Sequence, residues 1–309
     1  MARKRTTTKR KKSTKRKKKK KAQGGSLVVK LFGIALIGGA LLLLGTYAYF
    51  SRDLPSVASL RDYQPPQTTR VFDRHGKVIG EVFSERRTVI PLTDVPRYVV
   101  LSVLAAEDAD FYEHKGLDYK GILRAIGRDI ASGRAAQGGS TITQQVVKLM
   151  LLTPERTISR KLRELILARR LENELTKDEI LHLYLNHVNF GHGRYGIQEA
   201  AQYYFGKDAP ELNLAEASLL AGVPQAPSRL SPRRNPEAAK RRQNYVLDQL
   251  ADKRAVYWPD LDVDAIERAR ERTLTTIELP EVTGGAPEVL AIAKRALRDA
   301  VGDDALREG

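Results

Sequence analysis

Two glutamates and the polar segment between them are the residues of this sequence whose types and spacing could perform chemistry. Glu107 begins an acidic and aromatic run, and Glu164 follows a cation-rich run at 160–163. A glycine-led polar segment, 138–145, lies between the two carboxylates and is followed by Lys148. Two carboxylates flanked by cations suit glycosyl transfer, because that reaction needs a base and a stabilised leaving group.

Helices are expected to position both glutamates. Asp94 can cap a helix whose first turn holds Pro96, and an apolar stripe then leads to Glu107 at the carboxyl-terminal end. A carboxylate at the end of an apolar helix can have its pKa raised by desolvation, which suits a general base. Glu164 is expected within a helix over 155–175.

The remaining pattern predicts a mainly α body with one small β-hairpin. Two β-prone runs around an Asp-x-x-Gly turn form the hairpin at 70–83. Helices are also expected over 118–131, 177–187, 214–222, 263–272 and 287–300, with a further one from Pro236. A β-prone run occupies 273–279.

Charge is distributed unevenly along the 309 residues. The net charge of +16 resides in the amino-terminal tail, because residues 1–25 hold 14 Lys and Arg and no acid. From position 31 onward, 38 basic residues face 37 acidic ones. The excess positive charge therefore belongs to the tail, and the body is nearly neutral. We expect the tail to contact anionic lipids, and unspecific binding of nucleic acid by the tail is the alternative.

An uncharged run of twenty residues, 31–50, follows the tail and is long enough to cross a bilayer. Cations crowd one side only, so the positive-inside rule places the amino terminus in the cytoplasm and the body on the opposite side of the membrane. We expect a single uncleaved anchor. A cleaved signal peptide is the alternative, but its basic region would be unusually long. The absence of cysteine excludes disulfide and thiolate chemistry.

Five sequence blocks in order resemble the peptidoglycan glycosyltransferases of glycosyltransferase family 51. This domain is found in class A penicillin-binding proteins and monofunctional peptidoglycan transglycosylases. The blocks are EDADFYEHKGLD (107–118), GGSTITQQVVK (138–148), RKLRELILARRLE (160–172), LYLNHVNFGHGRYGIQEAAQYYFGK (183–207) and LAEASLLAGVPQAPSRLSP (214–232). The resemblance implies a lysozyme-like helical fold. It also implies polymerisation of lipid II into β-1,4-linked glycan strands, by inverting transfer from an undecaprenyl-pyrophosphate-linked donor.

The resemblance also implies roles for individual residues. Glu107 becomes the base that deprotonates the acceptor's 4-hydroxyl, and Glu164 acts near the donor's leaving group. Positions expected to bind substrate are Asp108, Phe111, His114, Ser140, Thr141, Gln144, Gln145, Lys148, Arg156, Arg160 and Lys161. Among them, Lys148 and Arg156 are the first residues expected to contact the pyrophosphate.

Several of these residues also have a plain structural interpretation. Glu164 could be a helix-surface acid paired with Arg160, His114 a structural histidine, and Lys161 part of a solvated face. The helix over 118–131 resembles a membrane-dipping lobe, with an ordinary amphipathic core helix as the alternative.

No metal site is predicted among the later histidines, because the five-residue step between His182 and His187 does not put both on one helix face. No cofactor is required by this interpretation, although a divalent cation, Mg or Mn, could assist the pyrophosphate.

Two other functions compete with the synthetic one. The first is a glycan-cleaving enzyme on the same lysozyme-like fold, which would need neither a pyrophosphate site nor an anchor. The second is a non-catalytic, membrane-tethered cell-wall scaffold. The expected partners are lipid II, the growing glycan, the bilayer and other cell-wall synthesis proteins.

These patterns divide the chain into five expected segments. They are a basic cytoplasmic tail (1–25), a transmembrane anchor (26–50), a stalk with the hairpin linker (51–93), the glycosyltransferase domain (94–250) and a carboxyl-terminal linker (251–309). Ser-x-x-Lys and Lys-Thr-Gly motifs are absent after residue 250. Since 70–90 and 251–309 resemble the class A linker region, we expect a piece of a class A protein rather than a natural monofunctional enzyme.

Overall fold

A computed structural model describes residues 13–61, 63, 69–76, 78–82, 86–123, 139–153, 155, 157–277 and 287–308. Contacts divide the chain into two units, Met1–Leu54 and Pro55–Gly309. The first unit contains helix α1 (Ser13–Phe50). Within the described residues, Val29–Phe50 is the single segment long and apolar enough to cross a membrane, with a mean hydropathy of 2.0. This agrees with the predicted anchor.

The second unit begins with a 3-10 turn, Ala58–Leu60, and contains the predicted hairpin. Strands β1 (Thr69–Phe72) and β2 (Val78–Val82) pair antiparallel. The carboxylate of Asp73 accepts a hydrogen bond of 2.8 Å from the backbone N–H of His75. Gly76 has a φ of 81°, a conformation that glycine adopts without strain. The Asp-x-x-Gly turn therefore closes the hairpin as its residues predict.

The rest of the second unit is mainly α, as predicted. Its helices are α2 (Arg97–Glu107), α3 (Ile142–Met150), α4 (Ile158–Glu174), α5 (Lys177–His187), α6 (Ile197–Phe205), α7 (Leu214–Gly222), α8 (Pro236–Tyr257), α9 (Val263–Glu271) and α10 (Pro287–Glu308). α10 is interrupted by a non-helical residue at Gly302. Two short strands, β3 (Arg86–Arg87) and β4 (Arg194–Tyr195), pair in parallel.

Helix α7 is the centre of the core. Each of its residues is buried, including Glu216, whose carboxylate pairs with the ammonium of Lys207. It packs against α2 and α8, which also pack against each other, while α3 packs against α4 and α5. The helix that ends at Glu107 is therefore fixed by two neighbours, and the segment around Gln145 by two others.

One predicted helix start differs from the structure. Asp94 does not cap α2: it lies in a 3-10 turn, Leu92–Asp94, and Pro96 is the residue at the cap. Proline's fixed φ suits a position at the start of a helix, and α2 begins at the next residue, Arg97. Helix α7 ends at Gly222, where the sequence predicted its end, and the chain continues into a 3-10 turn, Val223–Gln225.

The other predicted elements are found close to their expected positions. Helix α5 covers the predicted span and begins with a capping box formed by Thr176 and Glu179, while Pro236 begins α8. Of the expected helix over 118–131, residues 119–123 are helical and the remainder lies outside the described residues. The β-prone run at 273–279 forms no strand over 273–277, its described part, where Ile277 donates to the carbonyl of Tyr204.

Candidate active site

Glu107 is the last residue of α2, as predicted, and its carboxylate is largely buried. The side-chain amide of Gln145, on α3, donates a hydrogen bond of 2.8 Å to its Oε2. Its Oε1 is buried and has no hydrogen-bond partner within the described part of the chain. Burial raises the pKa of Glu107, and the Gln145 hydrogen bond opposes that rise. A desolvated carboxylate with one free oxygen can accept a proton, as a general base must.

Three charged groups around Glu107 also change its pKa. Arg242, on α8, lies with Nη2 at 3.8 Å from Oε1. Arg242 and the exposed Lys148 lower the pKa of Glu107, whereas Asp108 raises it. The net effect remains a raised pKa, because desolvation is the largest influence. Lys148 is therefore close enough to Glu107 to belong to the same site.

Asp108 connects α2 with the start of α3. Its two carboxylate oxygens each lie 3.0 Å from Nε2 of His114, and Oδ2 also accepts from the backbone N–H of Ile142. The N–H of Gly116 donates to Nδ1 of His114, so the ring proton is on Nε2 and faces Asp108. These contacts favour the structural interpretation of His114, as a residue that fixes Asp108.

Phe111, Thr141 and Gln144 are also buried and engaged within the protein. The Phe111 ring is fully buried and carries the ammonium of Lys177 at 4.3 Å from its centroid. Thr141 and Gln144 satisfy each other in a capping box that begins α3, and the Thr141 hydroxyl also donates to the carbonyl of Gly116. They hold Gln145 in place, and their contact with substrate stays a prediction.

Glu164 forms a second cluster, and it is not the surface acid of the alternative interpretation. The residue is 2% exposed. Lys161 forms a close ion pair with its Oε1, and Arg160 lies 3.4 Å from Oε2. The same Lys161 ammonium donates to Oγ of Ser140 at 3.0 Å. Two cations therefore accompany one buried carboxylate, as burial of a charge requires.

The segment that leads into α3 contacts both clusters. Ser140 accepts from the lysine that pairs with Glu164, and Gln145 donates to Glu107. Ser140 and Gln145 are only five positions apart in the chain. The polar segment that lies between the two glutamates in the sequence therefore also connects the Glu107 cluster with the Glu164 cluster in the structure. Arg156 and Gly138 lie outside the described residues.

Two residues of the Glu107 cluster were not predicted. Tyr184 is buried and donates a long hydrogen bond of 3.4 Å to Oε1 of Gln145. It belongs to a recognised block, but nothing in the sequence distinguishes it from core aromatics. Arg242 lies ten residues beyond the last block, in a helix with several cations, so only the packing of α8 on α2 identifies it.

The described residues contain no group of three or more His, Asp or Glu side chains able to hold a metal ion. His182, His187 and His192 instead contact three separate partners, which are the carbonyls of Ile90 and Leu183 and the hydroxyl of Ser231.

Comparisons with known proteins identify the family to which this chain belongs. The family described as Transglycosylase matches residues 75–251, more than half of the chain. Penicillin-binding protein 1A of Pseudomonas aeruginosa is 39% identical over 280 residues, which are 89% of this chain and 33% of that protein. Penicillin-binding protein 1A of Vibrio cholerae is 39% identical over 272 residues, 88% of this chain and 32% of that protein.

A solved structure, penicillin-binding protein 1A from Haemophilus influenzae, covers 79% of this chain and 26% of its own, with 23% identity and a TM-score of 0.47. The chain thus spans about a third of the length of the curated relatives it matches. On the family match, the chain belongs to the transglycosylase family, and its body contains the glycosyltransferase domain of class A penicillin-binding proteins.

Proposed function

We propose that this domain polymerises lipid II into β-1,4-linked peptidoglycan glycan strands. The observation that carries the proposal is the carboxylate of Glu107, which is buried, held by Gln145 at one oxygen and free of hydrogen bonds at the other. Family membership supports the substrate class, because the matched family is described as Transglycosylase.

The bond changes follow from inverting displacement. Oε1 of Glu107 takes the proton of the acceptor's 4-hydroxyl, whose oxygen forms a bond to the anomeric carbon of the donor. The bond from that carbon to the pyrophosphate oxygen breaks on the opposite face, and undecaprenyl pyrophosphate leaves with the bonding electrons. The stereochemistry changes from an α-linked donor to a β-glycoside.

The departing pyrophosphate needs positive charge as its bond breaks. Lys148 is exposed beside Glu107, and Lys161 and Arg160 accompany Glu164. We assign Lys148 to the pyrophosphate, with Arg156 as its predicted companion. Lys161 and Glu164 belong to the donor side, where the ion pair holds the ammonium toward Ser140.

A divalent cation is not required by this proposal. The protein's own cations supply the charge, and no step passes through a metal ion. Polymerisation by the full chain in detergent should therefore persist in excess chelator, and added Mg or Mn should change its rate rather than enable it. Complete loss of product in chelator, restored by Mg, would contradict this part of the proposal.

The direct test is a lipid II polymerisation assay on the full chain in detergent. Glu107→Gln should lower polymer yield by about 100-fold or more, the range expected for loss of a general base. The exposed Glu113→Gln, six residues away, is the matched control and should retain activity. Near-normal yield from folded Glu107→Gln would refute the assignment. Release of fragments from finished glycan without lipid II would instead support the glycan-cleaving alternative.

The predicted topology is proposed with the same function. The apolar helix Val29–Phe50 anchors the chain in the bacterial inner membrane, with the basic tail in the cytoplasm and the domain outside. This orientation presents the domain to a lipid-linked substrate at the outer leaflet. Protease added to intact spheroplasts should digest the domain and spare an epitope placed in the tail. Digestion of the tail epitope alone would show that the chain has the opposite orientation in the membrane.

A further inference from the structure

Arg242 enters the Glu107 cluster from a helix that lies outside the recognised sequence blocks. It projects from α8, which packs against α2, and its side chain is 13% exposed. Its Nη2 lies 3.8 Å from Oε1 of Glu107. That distance is too long for a hydrogen bond but short enough for a strong electrostatic attraction in a buried site.

The two oxygens of Glu107 have different surroundings. Oε2 is occupied by the Gln145 amide, whereas Oε1 is buried without a hydrogen bond in the described structure. A guanidinium that formed a bidentate bond would occupy lone pairs on both oxygens. Because Arg242 stops short of bonding, it contributes positive charge and leaves the lone pairs of Oε1 for a proton.

Neighbouring residues fix the position of the Arg242 guanidinium. Its Cζ lies 4.4 Å from the centroid of the Tyr245 ring, a cation–π contact one turn along α8. Its aliphatic stem passes over Gly222, where an added Cβ would come within 2.7 Å of Cγ. Two further contacts fasten α8 to the end of α2: Lys253 donates to the carbonyl of Ala105, and Tyr257 to Asp110.

Charged and titratable groups approach Glu107 from four elements. Asp108 adjoins it at the end of its own helix, Lys148 comes from α3, Tyr184 from α5 and Arg242 from α8, and the neutral amide of Gln145 also comes from α3. Lys148 is exposed, so solvent and salt screen its charge. Arg242 is the cation whose charge the site screens least.

We propose that Arg242 is a positioning residue for the base: its guanidinium keeps Oε1 of Glu107 ionised and directed toward the acceptor hydroxyl without bonding to it. This inference rests on the proposed function, which assigns Glu107 as the base. The direction in which Arg242 changes the pKa of Glu107 agrees with it. The inference adds a role for the segment after the last block.

The test is the pH dependence of kcat/KM for lipid II polymerisation by the full chain in detergent. Removing the charge in Arg242→Gln should move the acid limb of the profile upward by about one pH unit, since a neighbouring opposite charge lowers a carboxyl pKa by about 1–3. Arg242→Lys keeps a positive charge, so its acid limb should move upward from that of the wild type by less than half as much as the limb of Arg242→Gln. The matched control is Arg241→Gln, whose side chain is 73% exposed and pairs with Glu237.

A second variant displaces Arg242 without removing its charge. Gly222→Ala is compatible with the local φ of −78° but crowds the Arg242 stem, so it should move the acid limb in the same direction by a smaller amount. Circular dichroism at 25 °C checks that each variant is folded. If the acid limb of folded Arg242→Gln matches that of the wild type, or if Arg242→Lys behaves like Arg242→Gln, the inference is overturned.

A direct titration separates this inference from the proposed function. The carboxyl carbon of Glu107 can be followed by NMR in glutamate-labelled chain, with Glu107→Gln providing its assignment. A rise in the titration midpoint of Glu107 in Arg242→Gln supports the coupling even if the wild type fails to polymerise lipid II. Failure of polymerisation by the wild type would refute the proposed function, and an unchanged midpoint would refute the inference.

Discussion

The side-chain amide of Gln145 donates a hydrogen bond of 2.8 Å to Oε2 of Glu107, from one helix to the end of another. The opposite side of that amide, Oε1, accepts the longer hydrogen bond from Tyr184. Tyr184 therefore fixes which way the amide faces, since a flipped amide would present oxygen to a carboxylate. Glu107, the proposed base, has one oxygen held by a hydrogen bond and one without a hydrogen bond as a result.

Removing the Gln145 amide should weaken the base. We expect Gln145→Ala to lower kcat/KM for lipid II by about 10–100-fold, the effect of losing a hydrogen bond to a charged group. The acid limb of its pH profile should also rise, because this hydrogen bond lowers the pKa of Glu107. Tyr184→Phe removes only the 3.4 Å hydrogen bond to Gln145 and should lower kcat/KM for lipid II by a few-fold at most. Equal losses in both variants would contradict this order of importance.

The buried carboxylate of Glu107 should lower the free energy of unfolding at neutral pH. Burial raises its pKa in the folded state above the value in the unfolded chain, so the folded state binds the proton more tightly. Stability contributed by this group is present at low pH and is lost as pH rises through the folded pKa. Glu107→Gln, which removes the buried charge, should therefore raise the free energy of unfolding at neutral pH by about 1 kcal/mol although it lowers polymer yield. Denaturant titration of the full chain in detergent, with Glu113→Gln as control, measures this, and a lower midpoint for Glu107→Gln would contradict it.

The Asp108 carboxylate should be more important for the fold than for direct chemistry. It accepts from His114 and from the N–H of Ile142, and an asparagine would offer one acceptor oxygen where two donors point. We expect Asp108→Asn to lower the free energy of unfolding by about 1–3 kcal/mol. The exposed Asp94→Asn should leave stability within about 0.5 kcal/mol of the wild type. Thermal denaturation checks both, and equal stability of the two variants would refute the bridging role.

Glu164 should act through Lys161. Loss of the carboxylate in Glu164→Gln leaves the ammonium with Ser140 as its remaining described partner, so the donor-side cation is less well fixed. We expect kcat/KM for lipid II to fall by about 10–100-fold without a change in the acid limb, which belongs to Glu107. Glu174→Gln, an exposed acid on the same helix, is the matched control. An acid limb that moved in Glu164→Gln would contradict a role that acts only through Lys161.

His187 should make the fold sensitive to acid. Burial lowers its pKa to about 4, from an ordinary value of 6.5. Between these values the unfolded chain binds a proton that the folded protein does not, so stability falls as pH is lowered through this window. The loss should reach about 3 kcal/mol once pH is below the folded pKa. His187→Gln, which can still donate to Leu183, should remove this dependence, whereas the exposed His75→Gln should not. The same acid sensitivity in wild type and His187→Gln would exclude this histidine as its cause.

Local sequence determined those features that depend on neighbours in the chain. The hairpin follows from the Asp73 and Gly76 turn, α5 from the Thr176 capping box, and the apolar helix Val29–Phe50 from an uncharged run of sufficient length. The placement of Glu107 at a helix end followed from the apolar stripe before it. Such features need no long-range contact, which is why spacing and capping residues predict them.

Tertiary structure decided what each predicted site residue touches. Thr141 and Gln144 were grouped with Ser140 and Gln145 as substrate contacts, yet the first two satisfy each other inside the protein. Capping explains this pair, but only packing shows that Gln145 faces Glu107. The burial of Glu164, likewise, is a property of neighbouring helices, which a charge pattern on one helix cannot reveal.

Sequence by itself determined the class of chemistry, the order of the helices and the two glutamates. Only the tertiary structure decided that Gln145, Tyr184 and Arg242 surround the first of them, because these residues lie 38, 77 and 135 positions beyond Glu107 in the chain. Contacts over such separations arise from the packing of α2 against α8 and of α3 against α5. Packing depends on the shapes of whole helix faces, so no local pattern encodes it.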